Sequence, residues 1–164
     1  MSMLERSLIL PSPDATQTLA QLLGEFAVPG LVLLLEGDLG GGKTTFTQGL
    51  GRGLGIDDAI LSPTFTLIQE YWEGRVPLFH CDLYRLTPEG VYDLGLDELM
   101  GQGILTVEWP ERLPELPAEW LRLQLEVVGD DSRRLTATAS GDKHARWWGR
   151  AFDVFESGTW GHER

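Results

Sequence analysis

The feature that most constrains this chain is a glycine-rich segment, GDLGGGKTT, at residues 37–45. It matches the pattern G-x-x-x-x-G-K-[ST], which forms a phosphate-binding loop when it follows a buried strand and opens a helix. The nearly all-apolar run Leu31–Glu36 precedes it, as expected of a parallel strand covered on both faces. Apolar residues then recur at every fourth position, which indicates a helix over about residues 43–54. The segment therefore predicts a strand, a phosphate loop and a helix in direct succession.

Each part of this loop suits the binding of a nucleotide triphosphate. Glycines allow left-handed backbone angles, so that the N–H groups can point at the phosphates, and the helix start adds its positive dipole end. Lys43 supplies a point charge for the β and γ phosphates, and the Thr44 hydroxyl a ligand for Mg²⁺. The residues expected to bind the nucleotide are Gly37, Asp38, Leu39, Gly40, Gly41, Gly42, Lys43, Thr44 and Thr45.

Two carboxylates end apolar runs, where a metal ion and an attacking water would need them. Asp82 follows VPLFHC, and Glu108 follows ILTV. A carboxylate at the C-terminal end of a central strand, beside the loop lysine, completes the Mg²⁺ shell in such enzymes. We favour Glu108 for the metal and Asp82 for orienting or deprotonating water. The exchanged assignment stays open, as does an ordinary strand-end acid at either position.

The remaining patterns place this loop in an α/β, P-loop NTPase-like three-layer fold, with a mostly parallel sheet and added antiparallel hairpins. We predict one domain over residues 1–155 and a frayed tail over 156–164. The three glycines of the loop helix predict close packing against the sheet. The other predicted elements are a strand at Ser7–Leu10, a helix at Pro13–Phe26 capped by Ser12, a hairpin from Ser62–Trp72 and Val76–Leu83, a helix from Thr87 to Leu99, a strand at Ile104–Glu108, a second hairpin around Gly129–Arg134 and a helix at His144–Phe155.

Charge and composition narrow the function classes. The chain has 13 Lys and Arg against 25 Asp and Glu, a net charge of −12. Direct binding of nucleic acid relies on cationic side chains, so in any nucleic-acid pathway a partner should hold the nucleic acid. No run approaches the roughly 18 to 20 apolar residues of a membrane span, and the N-terminus lacks a secretory leader. With the single cysteine Cys81 excluding an internal disulfide, these features favour a cytoplasmic protein.

Several other residues carry two interpretations. The hydroxyl-rich Ser62–Thr66 either senses the γ phosphate or is a proline turn entering a strand, and the sequence alone favours the turn. His80 is expected to be packed or hydrogen-bonded, and Cys81 to be a small core residue. The tryptophans Trp109, Trp147 and Trp148 are expected in the core or on a partner surface.

Taken together, GDLGGGKTT, SPTFTL, HCDLYRL (His80–Leu86) and VEWPERL (Val107–Leu113) resemble the TsaE family, also called YjeE, over nearly the whole chain and in the same order. Gly41 stands where relatives often have alanine, a small change. The resemblance implies an Mg²⁺-dependent P-loop ATPase. It would act on the partner pair TsaB and TsaD during N6-threonylcarbamoylation of adenosine 37 in tRNAs reading codons that begin with A. Its tRNA would then be held by the partners, in agreement with the acidic charge.

The resemblance also implies roles for individual residues. Residues 37–45 would bind ATP, with Thr44 and Glu108 holding Mg²⁺, and Asp82 with Lys43 serving hydrolysis. Thr16, in the first helix, matches a threonine near the nucleotide. A late-hairpin arginine also reaches the nucleotide in relatives. The two candidates for it are Arg133 and Arg134.

Three other classes share the loop. A small-molecule kinase fits the fold and size, but its usual arginine-rich lid is missing, since Arg52, Arg75, Arg85 and Arg112 are scattered. A GTP switch would need an Asn-Lys-x-Asp run to read guanine, and the chain has none. A nucleotide-sensing scaffold without hydrolysis would not need Asp82.

Overall fold

The computed structural model describes residues 3–38, 42–57, 60, 68–84, 86–92 and 95–158. Its strands are β1 (Met3–Leu10), β2 (Val32–Gly37), β3 (Ile68–Tyr71), β4 (Leu78–Asp82), β5 (Ile104–Glu108), β6 (Trp120–Val127) and β7 (Arg133–Ser140). Its helices are α1 (Pro13–Glu25), α2 (Lys43–Gly53), α3 (Pro88–Tyr92), α4 (Leu96–Leu99) and α5 (Asp142–Ser157), with a 3₁₀ turn at Pro110–Arg112. None of the helices in these ranges is long and apolar enough to cross a membrane.

The strands described here form one sheet in the order β1-β7-β6-β2-β5-β4-β3. The four central strands β6, β2, β5 and β4 are mutually parallel, and β1, β7 and β3 extend the sheet by antiparallel pairing. This confirms the predicted fold class, a parallel centre with added hairpins. The register aligns Leu35 with Glu108 and Glu108 with Asp82, so the carboxyl ends of three strands meet at one edge.

Side-chain alternation along β2 explains why its first four residues are all apolar. Leu33 and Leu35 point into a core with α1, α2 and α5, while Val32 and Leu34 point into a second core that includes residues of α3 and α4. A parallel strand covered on both faces has no exposed positions for polar residues. The glycine-rich segment therefore follows a strand that lies in the middle layer of a three-layer structure.

The predicted first helix is confirmed, including its cap. Ser12 Oγ accepts the N–H of Ala15 at 3.1 Å, and Pro13 occupies the first turn. Because proline lacks an N–H and has a fixed φ, it costs little at this position.

The glycines of α2 pack closely, as predicted, but two of them pack against α1 and not against the sheet. A Cβ on Gly49 would lie 2.6 Å from the carbonyl oxygen of Gln17, and one on Gly53 only 2.0 Å from that of Gln21. Gly49 meets Gln17, and four residues later Gly53 meets Gln21. The helices α1 and α2 therefore run parallel, and their N-termini lie at the same end.

Other boundaries differ from the predicted ones. The helix predicted from Thr87 to Leu99 was wrong, because Gly95 has a left-handed φ of 68° and the structure has the separate helices α3 and α4. β1 begins at Met3 instead of Ser7, since the whole segment pairs with β7. α5 continues to Ser157, two residues beyond the predicted end.

Candidate nucleotide-binding site

The centre of the site is a buried pair of opposite charges. Lys43 begins α2 and is 6% exposed, and Glu108 ends β5 and is 3% exposed. Lys43 Nζ lies 3.8 Å from Glu108 Oε1. Gly42, just before the lysine, has a φ of 105°, a left-handed conformation that favours glycine. The lysine and the positive end of the α2 dipole therefore coincide, and both attract an anionic phosphate.

Trp109 forms one wall of this centre. Lys43 Nζ lies 4.6 Å from the centroid of its indole ring, a cation–π contact, and the Tyr84 ring packs 4.7 Å from it on a tilted plane. Trp109 also has a φ of 59°, unlike every other non-glycine residue that the structure describes. Such conformations cost free energy and cluster at functional sites. The expectation of a core or partner-surface role missed this contact, and the signal available was the position of Trp109 directly after Glu108.

Glu108 has a second buried neighbour. His80 Nε2 lies 2.5 Å from Glu108 Oε2, and the histidine is fully buried. The two carboxylate oxygens are therefore divided, one toward Lys43 and one toward His80. The prediction of a hydrogen-bonded histidine is confirmed.

Asp82 lies beside Glu108 as the register requires. The two residues are paired positions on the neighbouring parallel strands β4 and β5 and share one face of the sheet. Asp82 is half-buried, and its Oδ1 accepts the N–H of Tyr84 at 3.0 Å. One carboxylate at this edge is thus buried against the lysine, and the other is reachable by water.

The loop itself is described only at its ends. Asp38 is exposed, while Thr44 and Thr45 are half-buried in the first turn of α2. Residues 39–41, which include the predicted Leu39, Gly40 and Gly41, lie outside the described residues, as does 61–67 with Ser62–Thr66. A cleft of about 280 Å³ at the loop is lined by Glu36, Gly37, Asp38, Lys43, Trp109 and Glu111.

The two candidate arginines are separated by the structure. Arg133 Nε lies 3.8 Å from the place a Cβ on Gly42 would occupy, so this side chain lies at the loop. Its Nη1 donates to the carbonyl of Ser132 at 2.9 Å. Arg134 instead pairs with Glu126 at 3.2 Å on the exposed face of the hairpin. Of the two arginines, Arg133 is therefore the one that lies beside the loop.

Thr16 lies in the half of α1 nearer to the loop, because α1 and α2 run parallel with their N-termini at the same end. It is buried, and its hydroxyl donates to the carbonyl of Ser12 at 3.3 Å. Ser132 Oγ donates to the carbonyl of Pro11 at 3.4 Å, which links the β6–β7 turn to the start of α1. The start of α1, the turn and the loop therefore converge.

Cys81 is a core residue, as predicted. It is fully buried in the second core, and burial, together with the nearby charges of Asp82 and Glu108, raises its pKa to about 12. The thiol therefore stays protonated near neutral pH, as is typical of a buried structural cysteine.

The residues present fit a magnesium ion. Mg²⁺ prefers oxygen ligands and is usually bound by one or two carboxylates together with substrate phosphates and water. Glu108 offers a carboxylate and Thr44 a hydroxyl, and the 3.8 Å separation leaves Glu108 Oε1 outside a short hydrogen bond with Lys43. Within the described ranges no cluster of three His, Cys, Asp or Glu residues could hold a metal.

A buried strand that leads into a helix, with a lysine at the helix start facing a strand-end glutamate, defines a P-loop-type α/β protein. The family model "Threonylcarbamoyl adenosine biosynthesis protein TsaE" matches residues 10–135. The chain belongs to the TsaE family.

Individual relatives agree with this match. A protein of Bacillus subtilis (strain 168) named tRNA threonylcarbamoyladenosine biosynthesis protein TsaE is 50% identical over 135 residues, 81% of this chain and 85% of the relative. A protein of the same name from Nostoc sp. (strain PCC 7120 / SAG 25.82 / UTEX 2576) is 47% identical over 137 residues, 80% of this chain and 84% of the relative. The crystal structure of Bacillus subtilis YdiB has a TM-score of 0.75 at 40% identity, covering 93% of this chain and 97% of that one.

Proposed function

We propose that this chain is an Mg²⁺-dependent ATPase that serves the N6-threonylcarbamoylation of adenosine 37 in tRNAs reading codons that begin with A. The observation that carries the proposal is the buried Lys43–Glu108 pair at the start of α2. The pair would serve as a phosphate and metal site, and the chain's relatives are named tRNA threonylcarbamoyladenosine biosynthesis proteins.

In this proposal the loop residues 37–45, which include Lys43, bind the phosphates of ATP. The lysine charge and the α2 N-terminus stabilise the negative charge on the β and γ phosphates. Arg133, whose Nε lies 3.8 Å from the place a Cβ on Gly42 would occupy, would add a second positive charge at the loop, and Thr16 would border the nucleotide.

Thr44 and Glu108 are the residues that would hold Mg²⁺. The ion, when bound, neutralises charge on the phosphate oxygens. Asp82 lies on the same face as Glu108 but is half-exposed, so its carboxylate can accept a hydrogen bond from water and orient it toward the γ phosphate. In this proposal the buried Glu108 is the metal ligand, and the more accessible Asp82 orients the water.

Partners are expected to supply the tRNA. A chain with a net charge of −12 is poorly suited to neutralising phosphates of a nucleic acid. We propose that TsaB and TsaD hold the tRNA in the cytoplasm and that ATP binding and hydrolysis act on their complex.

The test is ATP hydrolysis by the purified chain, measured alone, with TsaB and TsaD, and with both proteins and tRNA. We expect slow hydrolysis alone that rises with the pair, and loss of both rates in Lys43→Ala. Hydrolysis indifferent to the pair would contradict the coupling. Transfer of the γ phosphate to a small acceptor in place of water would instead show a kinase.

A further inference from the structure

A buried histidine, His80, is hydrogen-bonded to the side chain of Glu108. In the register of β4 and β5, His80 is paired with Thr106, and Glu108 follows two residues later on the same face. His80 and Thr106 are fully buried, and Glu108 is 3% exposed. The 2.5 Å contact between His80 Nε2 and Glu108 Oε2 is therefore shielded from water.

The direction of this hydrogen bond follows from the chemistry of its partners. Glu108 faces the Lys43 ammonium, so it is assigned as a carboxylate, which can only accept hydrogen bonds. The ring nitrogen that faces it must then carry the proton, and His80 Nε2–H donates to Oε2. A hydrogen bond to a charged acceptor is about twice as strong as a neutral one. With Oε2 held by His80, the other carboxylate oxygen, Oε1, faces Lys43.

The other ring nitrogen shows that His80 is not placed for packing alone. Its Nδ1 is buried and has no hydrogen-bond partner among the described residues, and neither does the hydroxyl of Thr106 on the paired strand position. An unpaired buried polar group costs about 1–3 kcal/mol. An apolar side chain would avoid this cost, so the bond to Glu108 is the feature that accounts for a histidine here.

We propose that His80 is a positioning residue for the metal ligand. By holding Oε2, it fixes the rotamer of Glu108 and leaves Oε1, which lies 3.8 Å from Lys43 Nζ, as the oxygen that would be offered to Mg²⁺. The inference rests on the proposed Mg²⁺–ATP site. His80 is fully buried and would act only through its hydrogen bond to Glu108. Partners that orient metal ligands in this way typically change metal affinity 10- to 100-fold when they are removed.

The test compares three variants by calorimetric binding of a non-hydrolysable ATP analogue over a range of Mg²⁺ concentrations. His80→Leu removes the donor and should raise the Mg²⁺ concentration for half-maximal binding about 10- to 100-fold. His80→Gln retains an amide donor and should restore it to within a few-fold. Thr106→Val is the matched control, because it changes an equally buried neighbour whose hydroxyl has no partner among the described residues, and it should behave as the parent.

A comparison of single and double variants distinguishes an effect of His80 on the position of Glu108 from a general disruption of the fold. If His80 acts through Glu108, His80→Leu should add little to the effect of Glu108→Gln on Mg²⁺ dependence. Additive effects would overturn the proposal. The proposal would also be overturned if His80→Leu showed the Mg²⁺ dependence of the parent while Glu108→Gln showed a shifted Mg²⁺ dependence. The proposed function would still stand in that case. A parent whose analogue binding ignores Mg²⁺ would instead refute the proposed metal site.

A measurement on the unaltered chain covers the case in which His80→Leu does not fold. The ¹⁵N spectrum of the histidine-labelled parent should show His80 with the proton on Nε2. A ring that carries its proton on Nδ1 alone would overturn the assignment.

Discussion

Replacing Gly49 by alanine should destabilise the protein, although alanine is the better helix former. Alanine in a helix interior is favoured over glycine by up to about 1 kcal/mol. At Gly49, however, the new Cβ would lie 2.6 Å from the carbonyl oxygen of Gln17 and 2.9 Å from Cβ of Ala20. Contacts under 3.0 Å force a shift, and the nearest obstacle here is backbone, so α1 and α2 would have to separate by most of an ångström.

The size and sign follow from these two terms. Overpacking a closely packed contact costs about 1–3 kcal/mol, and part of it is offset by the gain in helix propensity. We expect a net loss of about 1–2 kcal/mol, which for a chain of this length lowers Tm by about 2–8 °C. Lys43 lies on the same helix, so the displacement should also weaken ATP binding.

Gly149→Ala is the matched control for this prediction. Gly149 is in the interior of α5, and a Cβ there would meet nothing within 4 Å. The substitution should stabilise the protein by about 0.5–1 kcal/mol through the unfolded state and helix propensity, without changing ATP binding. Thermal and urea unfolding of both variants give the comparison. A Gly49→Ala variant as stable as Gly149→Ala would refute the close helix contact as the reason for the glycine.

The remaining predictions concern the site and one buried histidine. Lys43→Ala should weaken ATP binding about 10- to 100-fold, since charge-assisted hydrogen bonds contribute about 1.5–3 kcal/mol; unchanged titration calorimetry would remove the lysine from the site. Asp82→Ala should lower kcat by about 10²–10⁴-fold with little change in ATP affinity, and a kcat equal to the parent's would argue against its role with water. Arg133→Ala should weaken ATP binding several-fold whereas Arg134→Ala should not, and the reverse order would contradict the assignment made from the position of Gly42. Burial and a neighbouring lysine lower the pKa of His144 from 6.5 to about 4, and its Nε2 accepts a backbone N–H of β2. Its contribution to stability, of order 3 kcal/mol, should therefore be complete above about pH 6.5 and be lost as the pH falls toward 4; urea midpoints that fall equally in the parent and in His144→Asn would contradict this.

Local patterns in the sequence determined much of the fold. The strand Ile104–Glu108 was predicted to the residue, and a helix was predicted to start at about residue 43, where α2 begins. The cap of α1 was identified from Ser12 and Pro13. Apolar periodicity, caps and a phosphate-loop motif depend on neighbours within a few positions, so they can be read from the chain alone. The two strand-end acids were found for the same reason, because an apolar run that stops on a carboxylate is a local signal.

Only the tertiary structure decided which distant residues meet. The two oxygens of Glu108 face Lys43 and His80, the indole of Trp109 lies beside the lysine, and Arg133 lies beside Gly42. Each of these contacts joins residues that are far apart in the chain. Strand order and register bring these groups together, and the sequence gives neither directly. The same holds for the α2 glycines. Their number indicated a close contact, but which element makes that contact was set by how the helices pack on the sheet.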